Sequence, residues 1–249
     1  MAVDPLEQFV IKPIVPLHVG HFDISFTNSS LWMLIVITLA TILFTAGMKK
    51  RAMVPGRLQV LVEMFYNMVA DMVRSTIGPE GKKYLPFIFT LFITLLLGNM
   101  MGLIPYSFTF TSHIIVTATL SFSIFVCVIL LGVLRHGTHF LHLFVPSGVP
   151  WFVYPLLVPI EIISYVARPI THGLRLFANM LAGHIMLQVF AGFSVMMIGA
   201  GALGVIGSLF PVIINAGLLG FELLIGLLQA YVFTILACIY LKDTIEIHH

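Results

Sequence analysis

Between Lys83 and Lys242 the chain carries only five formal charges, Arg135, Glu161, Arg168, Arg175 and Glu222. Arg135 closes an apolar run beside His136 and reads as an interfacial anchor. The other four lie inside two long apolar segments, where ionisable groups are costly and usually face a partner or a polar path. Arg175 is the sharpest case, because a guanidinium does not escape the cost by losing its proton. Glu161, Arg168 and Arg175 recur at seven-residue spacing, which keeps them on one helix face with about 20° of drift per step. Thr171, His172 and Asn179 border that face. His184, about 900° of helical rotation beyond Arg175, points to the opposite side. Farther on, Ser208, Asn215, Glu222 and Gln229 also repeat at seven and form a second polar stripe. With the two helices antiparallel and Arg175 level with Gln229, His184 lies about 13 Å and Glu222 about 10 Å beyond that level, on the same side. Glu161 falls toward the other end. Titratable groups at both ends and a permanent cation between them suit proton transfer at each end, with no hop through the arginine. Ion pairs with a purely structural role, Glu161 with Arg168 or Glu222 with an arginine, are the plainer alternative.

Other chemistry is weakly represented. His136, His139 and His142 have a spacing that could hold a metal, but they read as an interfacial loop. His172 reads as a packing histidine, and haem ligation by His172 and His184 lacks a histidine at matching depth on the last helix. Cys127 and Cys238 sit in apolar runs and read as small buried hydrophobes. No Walker-type phosphate loop is present, so nucleotide chemistry is not expected here. No cofactor is expected either.

The elements that must position these groups follow from composition. Of 249 residues, 59% are hydrophobic and 9% charged, with a mean hydropathy of +1.09. A soluble domain has about 25% charged residues. Soluble enzyme, disordered protein and nucleic-acid binder are excluded, and a net charge of +2 implies no polyanion-binding field. The pattern predicts an all-α multi-pass membrane protein in a single membrane domain. Residues 1–30 form a segment outside the membrane, and 31–47 form the first span. Residues 56–77, with Gln59, Glu63, Asn67, Asp71 and Arg74 on one face, form an amphipathic helix on the cytoplasmic surface. Residues 85–134 form a two-span hairpin whose Gly98 and Gly102 favour close helix packing. Residues 151–241 form a hairpin of two helices too long to stand upright in a ~30 Å hydrocarbon core. These helices must be strongly tilted, kinked at Pro155, Pro159, Pro169 or Pro211, or run along the membrane. The glycine-rich stretch 199–207 turns them back. Lys49, Lys50, Arg51, Lys82, Lys83, Arg135 and Lys242 gather on one side, which puts the N-terminus outside and the C-terminus in the cytoplasm. No internal repeat is evident. The N-terminal stretch shows no signal-peptide pattern, and the C-terminus shows no lipidation box.

The stretch Gly173-Leu-Arg-Leu-Phe-Ala-Asn-Met-Leu-Ala-Gly-His184 closely resembles the signature of the a subunits of F-type ATP synthases. Ile160-Glu161-Ile-Ile-Ser164, Arg168-Pro169-Ile170, Leu228-Gln229-Ala-Tyr231 and Pro105-Tyr106-Ser107-Phe108 resemble further family features. The likeness covers nearly the whole chain. It implies that Arg175 faces carboxylates of a rotating c-ring. It implies that Asn179, His184, Glu222 and Gln229 belong to a half-channel open to the outside, and Glu161 with Ser164 to the cytoplasmic one. Some family members carry an acid in the arginine helix and a histidine in the last helix. Here the order is reversed and the pair is retained. The resemblance further implies peripheral-stalk b subunits as partners, contact with membrane lipid, a bacterial inner-membrane location and no nucleic acid. A proton-coupled secondary transporter and a structural subunit of a respiratory complex are the alternatives.

Overall fold

The computed structural model describes residues 10–16, 18–19, 22–23, 25–49, 56–104, 107–137, 151–199 and 201–245. The N-terminal segment, read above only as lying outside the membrane, forms two short antiparallel pairs. Strand β1 (Pro13–Val15) pairs with β4 (Phe26–Thr27), and β2 (His18–Val19) with β3 (Phe22–Asp23). Asn28 fastens this segment to the first helix. Its side-chain amide donates to the Val10 carbonyl at 3.1 Å, and its carbonyl oxygen accepts from the Lys12 backbone N–H at 3.2 Å. Thr27 caps that helix through its hydroxyl oxygen, which accepts from the Ser30 N–H.

Six α-helices follow among the described residues: α1 (Asn28–Met48), α2 (Arg57–Ile77), α3 (Leu85–Gly102), α4 (Ile114–His136), α5 (Tyr154–Ile198) and α6 (Ala202–Ile245). Among the described residues, α1, α3, α4, α5 and α6 are long and apolar enough to cross a membrane. The protein is an all-α membrane protein with five such helices. Helix α2 is the amphipathic one. It ends at Gly78, whose φ of +85 requires glycine, and Pro79 follows. Val69, Met72, Val73 and Ile77 of α2 pack into the main apolar cluster with Ile88 and Phe92 of α3 and Cys238 and Leu241 of α6. The apolar face of α2 is thus spent largely on neighbouring helices. Leu58, Val60, Leu61 and Met64 near its start remain exposed.

Helices α5 and α6 have 45 and 44 residues and run unbroken through Pro159, Pro169 and Pro211. At 1.5 Å per residue each is about 65 Å long, twice the hydrocarbon thickness, so neither stands upright. The tight turn between them uses Gly201 at φ +91. From that turn the contacts run in opposite directions along the two chains. Met197 meets Gly207, His184 meets Glu222, His172 stacks on Phe233, and Arg168 pairs with Asp243. This ladder is the antiparallel hairpin, and it sets Arg175 opposite the stretch Gln229–Tyr231.

The basic end of the molecule is tied together by side chains. Arg135, at the end of α4, forms an ion pair with Glu80 in the 3-10 turn Pro79–Lys83 ahead of α3. The guanidinium holds the exposed Glu80 carboxyl below its ordinary range, first by hydrogen bonding and then by charge. Cys238 is buried, as its apolar run suggests, but Cys127 is exposed on α4. An apolar run in a membrane helix has a lipid-facing side as well as a core side, so hydropathy does not separate the two.

Candidate functional site

The chemistry-bearing groups divide between two sides of α5. His172, Leu176, Met180 and His184 are all buried and recur every fourth residue, so they form the ridge that α5 turns into the protein. Arg175 lies off this ridge. It is exposed, and among the described residues no hydrogen bond or ion pair engages it. The permanent cation therefore points out of the chain at mid-helix. The heptad face itself drifts. At Arg168 it still reaches α6, where the guanidinium lies 3.2 Å from Asp243 Oδ2 and over the rings of Tyr165 and Tyr240. One heptad later it has left α6. The plainer alternative, a structural pair of Glu161 with Arg168, does not form among the described residues, because Asp243 takes the guanidinium. Glu161 is half-buried and Ser164 exposed on the same half of α5; Asn179 is half-buried beyond Arg175.

On the inward side, His184 Nε2 lies 3.6 Å from Glu222 Oε1, with side-chain exposures of 8% and 5%. The partner of Glu222 is a histidine rather than an arginine. Gly183 makes this possible, since a Cβ there would stand 2.6 Å from Glu222 Oε1. The stripe Ser208, Asn215, Glu222, Gln229 faces inward. Ser208, Glu222 and Gln229 are buried and Asn215 half-buried. Among the described residues neither Glu222 carboxylate oxygen has a hydrogen-bond donor, and Gln229 Nε2 has no acceptor. Buried polar atoms of this kind are normally satisfied by water, so the stripe is suited to a hydrated path. Gly183→Ala is expected to push the Glu222 carboxylate aside and lower proton transport several-fold at unchanged chain abundance. Shortening the acid as well, in Gly183→Ala with Glu222→Asp, is expected to recover part of the loss. Full activity of the single variant in a vesicle acidification assay would show that the pair tolerates the displacement.

Several residues at this site were not singled out from the sequence. Asn99 of α3 is buried and donates through Nδ2 to the Gly226 carbonyl of α6 at 3.1 Å, one turn from Glu222. Its signal was a lone amide in an apolar run. The segment between α3 and α4 contributes buried hydroxyls at Ser107, Thr109, Thr111 and Ser112, and Thr109 Oγ1 is 3.0 Å from His184 Nε2. Gly98 and Gly102 turn out to seat this segment rather than another helix. A Cβ at Gly98 would stand 2.6 Å from the Phe110 ring, and one at Gly102 would stand 2.7 Å from Thr109. His172 is a packing histidine in geometry, stacked on Phe233 with centroids 5.0 Å apart. His139 and His142 lie outside the described residues, as does the side chain of His136. Among the described residues no cluster of potential metal ligands occurs.

A family model described as ATP synthase A chain matches residues 29–242. The chain belongs to that family. It is 51% identical over 247 residues to a protein named ATP synthase subunit a from Parvibaculum lavamentivorans, covering 99% of this chain and 95% of that one. It is 52% identical over 244 residues to the protein of the same name from Rhodospirillum rubrum, covering 98% and 99%. The Hyphomonas neptunium protein of that name is 50% identical over 246 residues, with 99% and 97% covered. In this ATP synthase A chain family member, the matched region contains all six described helices apart from Asn28 of α1 and residues 243–245 of α6. It includes Arg175, His184, Glu222 and the Thr109 segment.

Proposed function

We propose that this chain is the proton-conducting stator subunit of the membrane sector of an F-type ATP synthase. It provides two offset half-channels that load and unload protons on the carboxylates of a rotating c-ring. The observation that carries this reading is the separation on α5: an exposed Arg175, without a hydrogen bond or ion pair among the described residues, on one side and a buried, touching His184–Glu222 pair on the other. A fixed cation exposed within an apolar helix needs an anionic partner from outside the chain. A buried acid–histidine pair is a proton-exchanging unit that titrates jointly.

Protons arrive through the hydrated stripe at the turn end of the hairpin and pass to the His184–Glu222 pair. From there, along Asn179 and Gln229, they neutralise a c-ring carboxylate, which then rotates into lipid. After a near-complete turn that carboxyl group meets the second half-channel near Glu161 and Ser164 and releases its proton. Arg175 attracts the resulting anion by opposite charge and blocks a direct leak. A membrane potential of 100 mV supplies about 2.3 kcal/mol per charge moved across it. The basic residues gathered at the end of α4, the turn before α3 and the end of α6 support a cytoplasmic location for that end, with the N-terminal strands outside a bacterial inner membrane. Peripheral-stalk b subunits hold the chain against rotation, and the exposed apolar faces meet lipid and the ring. ATP chemistry resides in other subunits.

The test is ATP-driven acidification of inverted membrane vesicles. Vesicles without this chain are expected to show none while retaining bound ATPase, and to regain it with the wild-type chain. Acidification that persists without the chain would sink the reading. Solute uptake by the chain alone in liposomes would make it a secondary transporter instead.

A further inference from the structure

His184 is placed as a group that must gain and lose a proton, so the atom facing its Nε2 must tolerate both states. Thr109 Oγ1 faces it at 3.0 Å, and both side chains are buried. The same hydroxyl lies 3.2 Å from the carbonyl oxygen of Gly102, which also accepts from Ser107 Oγ at 3.1 Å. A hydroxyl has one proton to give and lone pairs to accept with. We propose that Thr109 is a positioning residue for the His184–Glu222 pair, a reversible hydrogen-bond partner that holds Nε2 in both protonation states. The inference rests on the proposed proton-conducting function.

The two states balance atom by atom. When Nε2 carries a proton, its N–H donates to a Thr109 lone pair, and the Thr109 O–H donates to the Gly102 carbonyl. Transfer to Glu222 Oε1, 3.6 Å from the same nitrogen, requires the two side chains to close to hydrogen-bond distance or one bridging water; it breaks the Nε2–H bond and forms an O–H bond on the carboxylate. An imidazolium becomes neutral with its remaining proton on Nδ1, and the carboxylate becomes a carboxylic acid. The Thr109 O–H then swings from Gly102 to the bare Nε2 lone pair. Ser107 still donates to the Gly102 carbonyl, so no buried acceptor is stranded by the swing. The seat of the segment fixes the hydroxyl in place. Phe110 lies over Gly98, and Thr109 packs against Gly102 so closely that a Cβ at that glycine would overlap it. His113, stacked on Phe108 at the far end of the segment, and Glu222 on α6 are the other titratable groups facing this region among the described residues.

The experiment compares Thr109→Val, which keeps the shape and loses the hydroxyl, with Thr109→Ser, which keeps the hydroxyl and loses the methyl. Both are read in ATP-driven acidification by the assembled complex in inverted vesicles at matched chain content. A lost hydrogen bond of ordinary strength corresponds to about fivefold. Thr109→Val is therefore expected to pump about fivefold more slowly, and Thr109→Ser near the wild-type rate. A slow serine variant beside a normal valine variant would assign Thr109 to packing and overturn the proposal. Normal rates in both, or equal losses in both, would overturn it as well. Should the valine chain not accumulate, Thr109→Ala against Thr109→Ser isolates the oxygen atom, and equal rates there would overturn the proposal. Arg175→Ala is measured in parallel. If it pumps normally, the proton-conducting reading fails; if it is silent while Thr109→Val is normal, only the role of Thr109 fails.

Discussion

Replacing Arg175 with alanine is expected to reduce ATP-driven proton pumping below detection while leaving the chain inserted and assembled. The two halves of that expectation have separate causes. Insertion should survive because the Arg175 side chain is exposed and engages no hydrogen bond or ion pair among the described residues, so its removal strands no buried partner. Transport should fail because Arg175 is an exposed guanidinium on α5 whose charge pH does not remove, whereas the Arg168 guanidinium is paired with Asp243. Two unit charges about 4 Å apart attract by roughly 4 kcal/mol at an effective dielectric constant near 20, equivalent to about three pKa units on a facing carboxylic acid. On the proposed reading, a c-ring carboxyl without that attraction would keep its proton at the unloading site and the cycle would stop. Dye-quenching by inverted vesicles given ATP measures this directly, with bound ATPase and chain abundance as controls. Normal quenching by the alanine variant would make Arg175 a structural charge and return the transporter and scaffold readings to the front.

The second large effect is expected at Glu222. Glutamine preserves its shape but neither accepts nor delivers a proton, and proton transfer by a positioned side chain is commonly worth about a hundredfold or more. Glu222→Gln is therefore expected to lower transport at least tenfold. Glu63 supplies the matched comparison. It lies on α2, and its carboxylate accepts an exposed hydrogen bond from Gln59 at 2.8 Å. Such a helix-surface pair is worth only about 0.2–0.5 kcal/mol. Glu63→Gln is expected to pump at the wild-type rate. Equal losses in the two variants, measured at equal chain content, would remove Glu222 from the proton path.

Much of this arrangement could be read along the chain. Scarcity of charge and long apolar runs determined that the protein is a helical membrane protein, because only satisfied backbones of that kind cross lipid. The excess length of α5 and α6 determined that they are not upright. The seven-residue spacing of Glu222 and Gln229, and the half-turn offset of His184 from Arg175, determined that arginine and histidine occupy opposite sides of α5. These are local regularities, set by 3.6 residues per turn and by the cost of charge in hydrocarbon.

Partner choice was not local. Arg168 shares α5 with one carboxylate, Glu161, yet it meets Asp243, because the register of the hairpin carries the end of α6 past it. Glu222 meets His184 rather than a cation, because Gly183 leaves room for its carboxylate. Gly98 and Gly102 seat a turn instead of a helix, because Phe110 and Thr109 fold back onto α3. Cys127 and Cys238 occupy similar apolar runs, and only packing puts the second inside and the first out. Thr109 was invisible as a neighbour of His184, since 75 residues separate them and nothing in either local pattern refers to the other. The sequence by itself determined which faces are polar and how they are spaced along each helix. Tertiary structure decided which polar groups touch, because contacts between helices depend on register and on small-residue gaps that no single helix's periodicity contains.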